Sequence, residues 1–275
     1  MKTRLPSWIR RPADWAELFA IGNFAFLAVD IALAHSVNAF ERGPEWIPLV
    51  FSLAAAVLLA IGFPPAMRAR TRGLAIFVGV VSVLVGISGL LWHLDSHFFR
   101  EQTLKNLVYT APFAAPLAYT GLGLLVLLGR LVDSESEEWA VWVLVLALGG
   151  FIGNFALSVA DHAQNAFFHP TEWIAAAGAA FGIGFLFVAA FIDRRERFLR
   201  LCLWVLAGEA AIGLLGFALH LRGNLLAPGG SASQRFLYGA PIFAPLLFAN
   251  LALLASIGVF LLVERASSAK VTTAG

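Results

Sequence analysis

The stretch "GNFALSVADHAQNAF", Gly153–Phe167, decides the fold because both of its ends occur a second time in the chain. Its first four letters match "GNFA" at Gly22–Ala25, and its last six correspond to "HSVNAF" at His35–Phe40. The correspondence continues in three further pairs of segments: Glu45–Ile47 with Glu172–Ile174, Gly86–Leu94 with Gly213–Leu221, and Leu107–Tyr119 with Phe236–Phe248. The sequence therefore predicts two copies of one structural unit.

The composition places this unit in a membrane. Of the 275 residues, 60% are hydrophobic and only 13% are charged, and the mean hydropathy is +0.81. A soluble domain carries roughly a quarter charged residues, so an integral protein of the lipid bilayer is expected, with no nucleic-acid partner. The single cysteine, Cys202, excludes an internal disulfide framework and a cysteine-based metal cluster.

Eight apolar segments meet or approach the length of about 20 residues that a membrane-spanning helix needs. Such continuous apolar runs indicate helices rather than barrel strands. An even number of spans returns each copy to its starting side, so the predicted fold is two parallel four-helix repeats with pseudo-two-fold symmetry about the membrane normal. Residues 1–132 form the first repeat, 133–138 an acidic linker and 139–275 the second. The predicted spans are Glu17–Val37, Trp46–Phe63, Gly73–Leu94, Thr110–Leu131, Trp139–Asp161, Trp173–Ile192, Leu199–Leu221 and Pro241–Val263.

Basic residues lie mostly at one end of these spans. The loops and termini at that end hold 14 lysines and arginines, whereas those at the other end hold 5: Arg42, Arg100, Lys105, Arg222 and Arg235. Cytoplasmic loops of membrane proteins are enriched in lysine and arginine. This asymmetry predicts a multi-pass protein of the plasma (inner) membrane with both termini and the linker in the cytoplasm.

All six histidines fall at or near the opposite, outer face. Two of them, His97 and His169, have no histidine counterpart in the other copy. The other four occupy duplicated positions at the outer ends of the first and third helices of each copy: His35, His93, His162 and His220. We expect these four to form the functional site.

Polar neighbours of the first histidine in each copy are candidate supporting groups. Asn38 and Asn165 each follow that histidine by three residues, which predicts one shared helix face. Asp30 and Asp161 precede it at offsets that differ by four residues, about one helical turn, so both acids are expected to project in a similar direction.

These residue types suit metal or haem ligation. Neutral imidazole is a common ligand, and a neighbouring carboxylate or amide can hold its second ring nitrogen. Facing helices with one histidine each could bind haem b, while His, Asp and Glu without soft sulfur suit Zn, Fe, Mn or Cu(II). Small residues precede the second histidine of each copy and would admit a flat macrocycle: Gly86, Gly89, Gly213 and Gly216. One mixed site and two equal sites both fit the pattern.

Three carboxylates outside that pattern are further candidates. Glu45 and Glu172 open the second helix of each copy, where they either complete the polar sites or favour the helix dipole. Glu209 lies mid-span at a position where the first copy has Ser82. Because an intramembrane carboxylate is costly, Glu209 is a candidate for proton handling.

Three hypotheses about function follow. The first is a redox or metal-binding membrane protein, which with haem would exchange electrons with a quinone or a membrane redox partner, and with a bare metal would perform metal-dependent chemistry. The second is a transporter or permease, favoured by parallel repeats and Glu209 but not by a polar cluster at one face. The third is a non-catalytic subunit of a larger membrane complex, in which the histidines only cap helices or bind interfacial water. Homo- and hetero-oligomers are both compatible with the sequence.

Overall fold

The computed structural model describes residues 11–274, and all regular structure in that range is helical. Seven helices there are long and apolar enough to cross a membrane. The prediction of a multi-pass α-helical membrane protein is thereby confirmed. Lys2, Arg4 and Arg10, which contribute to the charge asymmetry, lie outside the described range. The helices are α1 (Pro12–Ser36), α2 (Trp46–Gly62), α3 (Pro65–Arg68), α4 (Arg72–Asp95), α5 (Leu104–Tyr109), α6 (Leu117–Leu131), α7 (Glu137–Ala163), α8 (Glu172–Phe191), α9 (Glu196–Leu226), α10 (Ala232–Tyr238) and α11 (Leu246–Ala274).

Local sequence explains where several helices begin. Thr103, Ser136 and Ser231 stand just before α5, α7 and α10, and each side-chain oxygen accepts a hydrogen bond from a backbone N–H of the first turn. Such caps satisfy donors that have no partner within the helix. Because Ser136 is the cap, α7 begins at Glu137, inside the predicted linker 133–138.

The fourth apolar segment of each copy differs from the prediction at its start. The predicted spans Thr110–Leu131 and Pro241–Val263 begin too early, because seven non-helical residues precede both α6 and α11. Both segments contain two prolines, and we expected the second to kink the helix; instead Pro116 and Pro245 stand immediately before the first helical residue. A proline there fits the helical φ angle, and its missing N–H costs no hydrogen bond. As a result α6 has only 15 residues.

The helices form two groups with the same contacts. In the first group α1 packs on α2, α2 on α4, α4 on α6 and α6 on α1. In the second group α7, α8, α9 and α11 repeat this ring in the same order. The groups meet where α6 packs on α7 and where α11 packs on α1. Within each ring the first and third helices, α1 and α4 or α7 and α9, therefore stand across from each other.

Glycines allow the third and fourth helices to approach closely. A Cβ added at Gly86 would lie 2.6 Å from the backbone nitrogen of Thr120, and one added at Gly213 would lie 2.9 Å from that of Ala249. Gly89 and Gly216 likewise face Pro116 and Pro245, with 2.7 Å from the added Cβ to each proline Cβ. The prediction that these four glycines make room for a macrocycle is wrong, because the neighbouring helix fills that space.

A buried ion cluster joins three elements of the first group at the end opposite to the histidines. Arg68 of α3 lies 2.7 Å from Asp14 and 3.2 Å from Glu17, both in α1. Arg130 of α6 also donates to Glu17, at 3.3 Å for one of its two contacts. The Asp14 side chain is fully buried and that of Glu17 is 6% exposed. At the corresponding end of α7 the Trp139 side chain is fully buried, and the ion pair there, between Glu137 and Arg194, is partly exposed.

We predict that Gly213→Ala lowers the free energy of unfolding by about 1–3 kcal/mol, because the new methyl group overlaps backbone atoms of α11. Gly208→Ala is the matched control, since it lies on the same helix and no atom stands within 4 Å of the new methyl. Alanine is the better helix former, so the control is expected to be neutral or stabilising. Unfolding in mixed micelles measures both, and equal stability of the two variants would contradict the close approach.

We also predict that Glu17→Gln lowers the free energy of unfolding by about 3 kcal/mol, because it leaves two arginines without their shared buried partner. Arg200→Gln serves as control. Its ion pair with Glu196 spans 2.8 Å but is 62% exposed on the arginine side, and such surface pairs contribute little. The same unfolding assay applies, and a Glu17→Gln variant as stable as the control would exclude an energetic role for the cluster.

Candidate metal centre

The four duplicated histidines meet in two pairs at one end of the bundle. His35 at the end of α1 faces His93 at the end of α4, with 6.4 Å between ring centroids. His162 at the end of α7 faces His220 of α9 at 6.5 Å. The ring planes cross at 63° and 82°, respectively. Each pair therefore spans its helix ring from one corner to the opposite one.

A proline carbonyl orients one imidazole of each pair. The Nδ1 atom of His93 lies 2.8 Å from the carbonyl oxygen of Pro112, and that of His220 lies 2.8 Å from the carbonyl oxygen of Pro241. A carbonyl oxygen only accepts, so Nδ1 carries the proton in a neutral ring and Nε2 keeps a free lone pair. Metal-bound histidines in proteins show this same arrangement of the second nitrogen.

Different side chains hold the residue that precedes this proline in the two groups. In the second group Asn224 donates to the Ala240 carbonyl and accepts from the Ala240 N–H, both at 2.9 Å. In the first group the hydroxyl of Ser96 accepts from the Ala111 N–H at 3.0 Å and donates to the His93 carbonyl at 2.7 Å. The repeat in the sequence does not reveal these hydrogen bonds, because Ala111 and Ala240 occupy equivalent positions but are bound by unlike side chains.

A glutamate completes each pair. Glu45 Oε1 accepts a hydrogen bond from Asn38 at 2.9 Å, and Glu172 Oε1 accepts one from Asn165 at 3.2 Å. The second oxygen, Oε2, lies 3.9 Å from His35 Nδ1 in the first group and 3.5 Å from His162 Nδ1 in the second. Both Oε2 atoms are buried and have no hydrogen-bond partner. Each carboxylate is thus held by one oxygen and presents the other to a histidine.

The two asparagines reach the glutamates through an unusual turn. The prediction that each shares a helix face with its histidine is wrong, because α1 ends at Ser36 and α7 ends at Ala163. Two residues with left-handed backbone follow each asparagine, with φ between 51° and 59°: Ala39, Phe40, Ala166 and Phe167. Such residues cost on the order of 1 kcal/mol each when they are not glycine. The same backbone strain is present at the equivalent turn of each group.

Ring contacts hold the same turns in place. Phe40 packs on Trp46 with 4.5 Å between ring centroids, and Phe167 stacks on Trp173 at 4.0 Å. Both tryptophans directly follow the glutamates of the site. The turn and the start of the next helix are therefore connected by an aromatic pair as well as by the Asn–Glu hydrogen bond.

A cavity of about 2500 Å³ lies between the groups and is lined by all four histidines of the pairs. Asp30 and Asp161 also line it, but the structure gives neither acid a hydrogen bond to a histidine. Glu209 does not line this cavity. It is 2% exposed between α8 and α9, and its Oε2 has no hydrogen-bond partner.

The histidines and glutamates of each group do not surround a common centre at metal-ligand distances. Within residues 11–274, no three His, Cys, Asp or Glu side chains stand close enough together to enclose a metal ion. The two imidazoles and the carboxylate of each group are neighbours, at spacings wider than those of one coordination sphere.

No family model matches this chain. Curated proteins and solved structures gave no match either. Its function is therefore inferred from the residues and their geometry.

Proposed function

We propose that this chain is a membrane metalloprotein with two equivalent transition-metal centres that perform redox or other metal-dependent chemistry. The observation that carries this proposal is the duplicated pair of imidazoles, one oriented by a proline carbonyl, beside a buried carboxylate oxygen without a partner. The ligands would be His35, His93 and Glu45 in the first centre and His162, His220 and Glu172 in the second.

The spacings support one ion per group. Two ligand atoms bound to one tetrahedral metal at 2.0–2.2 Å lie roughly 3.3 Å apart. The separations of 3.9 and 3.5 Å between histidine Nδ1 and glutamate Oε2 are close to this value and too long for a hydrogen bond. Two imidazoles on such a metal have centroids about 5 Å apart, so binding would draw the rings together by about 1–1.5 Å.

The charges support a cation as well. A buried carboxylate oxygen without a partner is costly in a low-dielectric environment. No lysine or arginine forms an ion pair with Glu45 or Glu172 within residues 11–274. A divalent ion would satisfy the carboxylate and both imidazoles together. Nitrogen and oxygen ligands without thiolate suit Zn, Fe, Mn or Cu(II), and three protein ligands facing a cavity leave a position open for a substrate.

Haem b is the second candidate, and the ring spacing favours it. Two imidazoles on opposite faces of one iron place their centroids roughly 6.2 Å apart, from iron–nitrogen bonds of about 2.0 Å. The observed 6.4 and 6.5 Å are close to that separation. The glutamates would then lie beside Nδ1 of His35 and His162 and would have to move closer to accept a hydrogen bond from them, which is a supporting role.

We further propose that the two groups are repeats of eight spans in total, with α6 as the eighth and the histidine pairs at the outer face. Non-helical backbone at membrane depth is tolerated where it is buried in protein or lines a cavity. The residues before α6, including Pro112 and Pro116, line the cavity. The excess of arginine at the other end supports cytoplasmic termini and a plasma-membrane location.

We predict that His93→Ala and His220→Ala each halve the metal content of the purified protein and that the double variant removes it, because each change deletes a ligand of one centre. Elemental analysis after loading with Zn²⁺, Mn²⁺ or Fe²⁺ and removal of excess measures this. An absorption spectrum of the same samples distinguishes haem, whose Soret band would follow the same halving.

The matched control is His97→Ala, because His97 lies at the same end and, within residues 11–274, the one hydrogen bond of its side chain is to Ser96 Oγ at 3.4 Å. Its metal content is expected to equal that of the wild type. Full metal and haem content in both single variants and in the double variant would contradict the proposal.

We predict that a cysteine at position 233 reacts with a membrane-impermeant maleimide added to intact cells, whereas one at position 138 reacts only after lysis. The variants Ser233→Cys and Glu138→Cys place exposed thiols at the histidine and arginine ends. The natural Cys202 is buried and is replaced by Cys202→Ala as background. The reverse labelling pattern would contradict the orientation without affecting the metal proposal.

A further inference from the structure

The two contacts between the groups are equivalent in position but differ in chemistry. At the α1–α11 contact, Asn23 donates to Asn250 Oδ1 at 3.2 Å and to the Phe19 carbonyl at 2.8 Å. Asn250 also donates back to Asn23 Oδ1. The pair is therefore satisfied by protein groups on both sides.

The α7–α6 contact lacks this pair. Asn154 occupies the position of Asn23 in the repeated "GNFA" segment, but the position equivalent to Asn250 is Gly121. The Asn154 side chain is buried, with 4% exposure, and its Nδ2 has no hydrogen-bond partner. A Cβ added at Gly121 would meet no atom within 4 Å. The structure thus places an unused amide donor at a contact where the equivalent partner is missing and space is open.

Both residues line the cavity of about 2500 Å³. Rotation about the soft terminal bond of an asparagine exchanges the two ends of the amide, so Asn154 can turn its nitrogen toward the cavity without backbone movement. The non-helical residues before α6 and α11 line the same cavity. Interrupted membrane helices of this kind commonly form ligand sites.

The charge of the lining selects among lipid-soluble ligands. Six carboxyl side chains and two arginines line the cavity: Asp30, Glu41, Glu45, Asp95, Asp161, Glu172, Arg42 and Arg222. In the metal-free protein this excess of acids disfavours a fatty acid or an anionic lipid headgroup. The remaining lining is mainly apolar, as expected of a site for a ligand that enters from the bilayer.

We infer that the cavity binds one neutral lipid with a ring carbonyl, of the quinone class, whose carbonyl oxygen accepts a hydrogen bond from Asn154 Nδ2. A carbonyl acceptor would remove the cost of a buried donor without a partner. Because Asn23 already donates to Asn250 and to the Phe19 carbonyl, its amide is engaged, and the proposal places one such site, at Asn154, within residues 11–274. This inference goes beyond the metal centres and does not depend on them.

The experiment measures equilibrium binding of a decyl-substituted benzoquinone to the full-length protein in lipid nanodiscs. The decyl benzene without carbonyls and oleate serve as comparison ligands. We expect saturable binding of the quinone at one per chain and no saturable binding of either comparison ligand. Quinone and carbonyl-free analogue binding equally well would overturn the inference.

Two variants test the donor from opposite sides. Asn154→Leu removes it, and Gly121→Asn supplies the partner that Asn250 provides in the other group. Each is expected to weaken quinone binding about five- to tenfold, the effect of one neutral hydrogen bond. Since Gly121→Asn adds a side chain in open space and leaves Asn154 in place, it does not depend on tolerance of the leucine.

The matched control is the double variant Asn23→Leu/Asn250→Leu, which removes both partners of the satisfied pair and is expected to keep wild-type affinity. Unchanged affinity in both Asn154→Leu and Gly121→Asn would overturn the inference. Metal content is measured on the same samples, so a failure of the metal proposal is distinguishable from a failure of this one.

Discussion

The close approach of the third helix to the start of the fourth determines most of the histidine end of this molecule. Glycines on α4 and α9 allow Pro116 and Pro245 to sit directly against them. That contact fixes the non-helical residues before each fourth helix, including Pro112 and Pro241, whose carbonyls orient His93 and His220. A helix-packing contact thereby sets the tautomer of an imidazole, which a packing argument based on side-chain size alone would not reveal.

The repeat in the sequence predicts which histidines come together, because equal offsets imply equal positions in two copies. It could not predict the glutamate geometry, since the approach of Glu45 to His35 depends on left-handed turns at alanine and phenylalanine, residues that rarely adopt them. The sequence also could not predict that Gly86, Gly89, Gly213 and Gly216 serve helix packing rather than cofactor binding. Sequence spacing shows that Gly86 and His93 lie on one side of a helix, but not whether a cofactor or a neighbouring helix occupies that side.

The repeat in the sequence also did not predict the ion cluster of the first group. Asp14, Glu17, Arg68 and Arg130 are separated by up to 116 residues, and only Arg68 has a charged equivalent in the second group, Arg195, so repetition does not mark the cluster. Only the ring order of α1, α2, α4 and α6 brings them together. The same holds for the Asn23–Asn250 pair, which joins the first copy to the last helix of the second. Features that differ between the two groups could be identified only from the structure.

These contacts distinguish two helices that have similar sequences. Helices α6 and α11 have similar sequences at their starts, and both contact α1. Arg130 finds Glu17 only when α6 occupies its own ring, and Asn250 meets Asn23 only when α11 lies across the boundary between groups. The two helices of similar sequence are therefore distinguished by one polar partner each on α1, a carboxylate for α6 and an amide for α11.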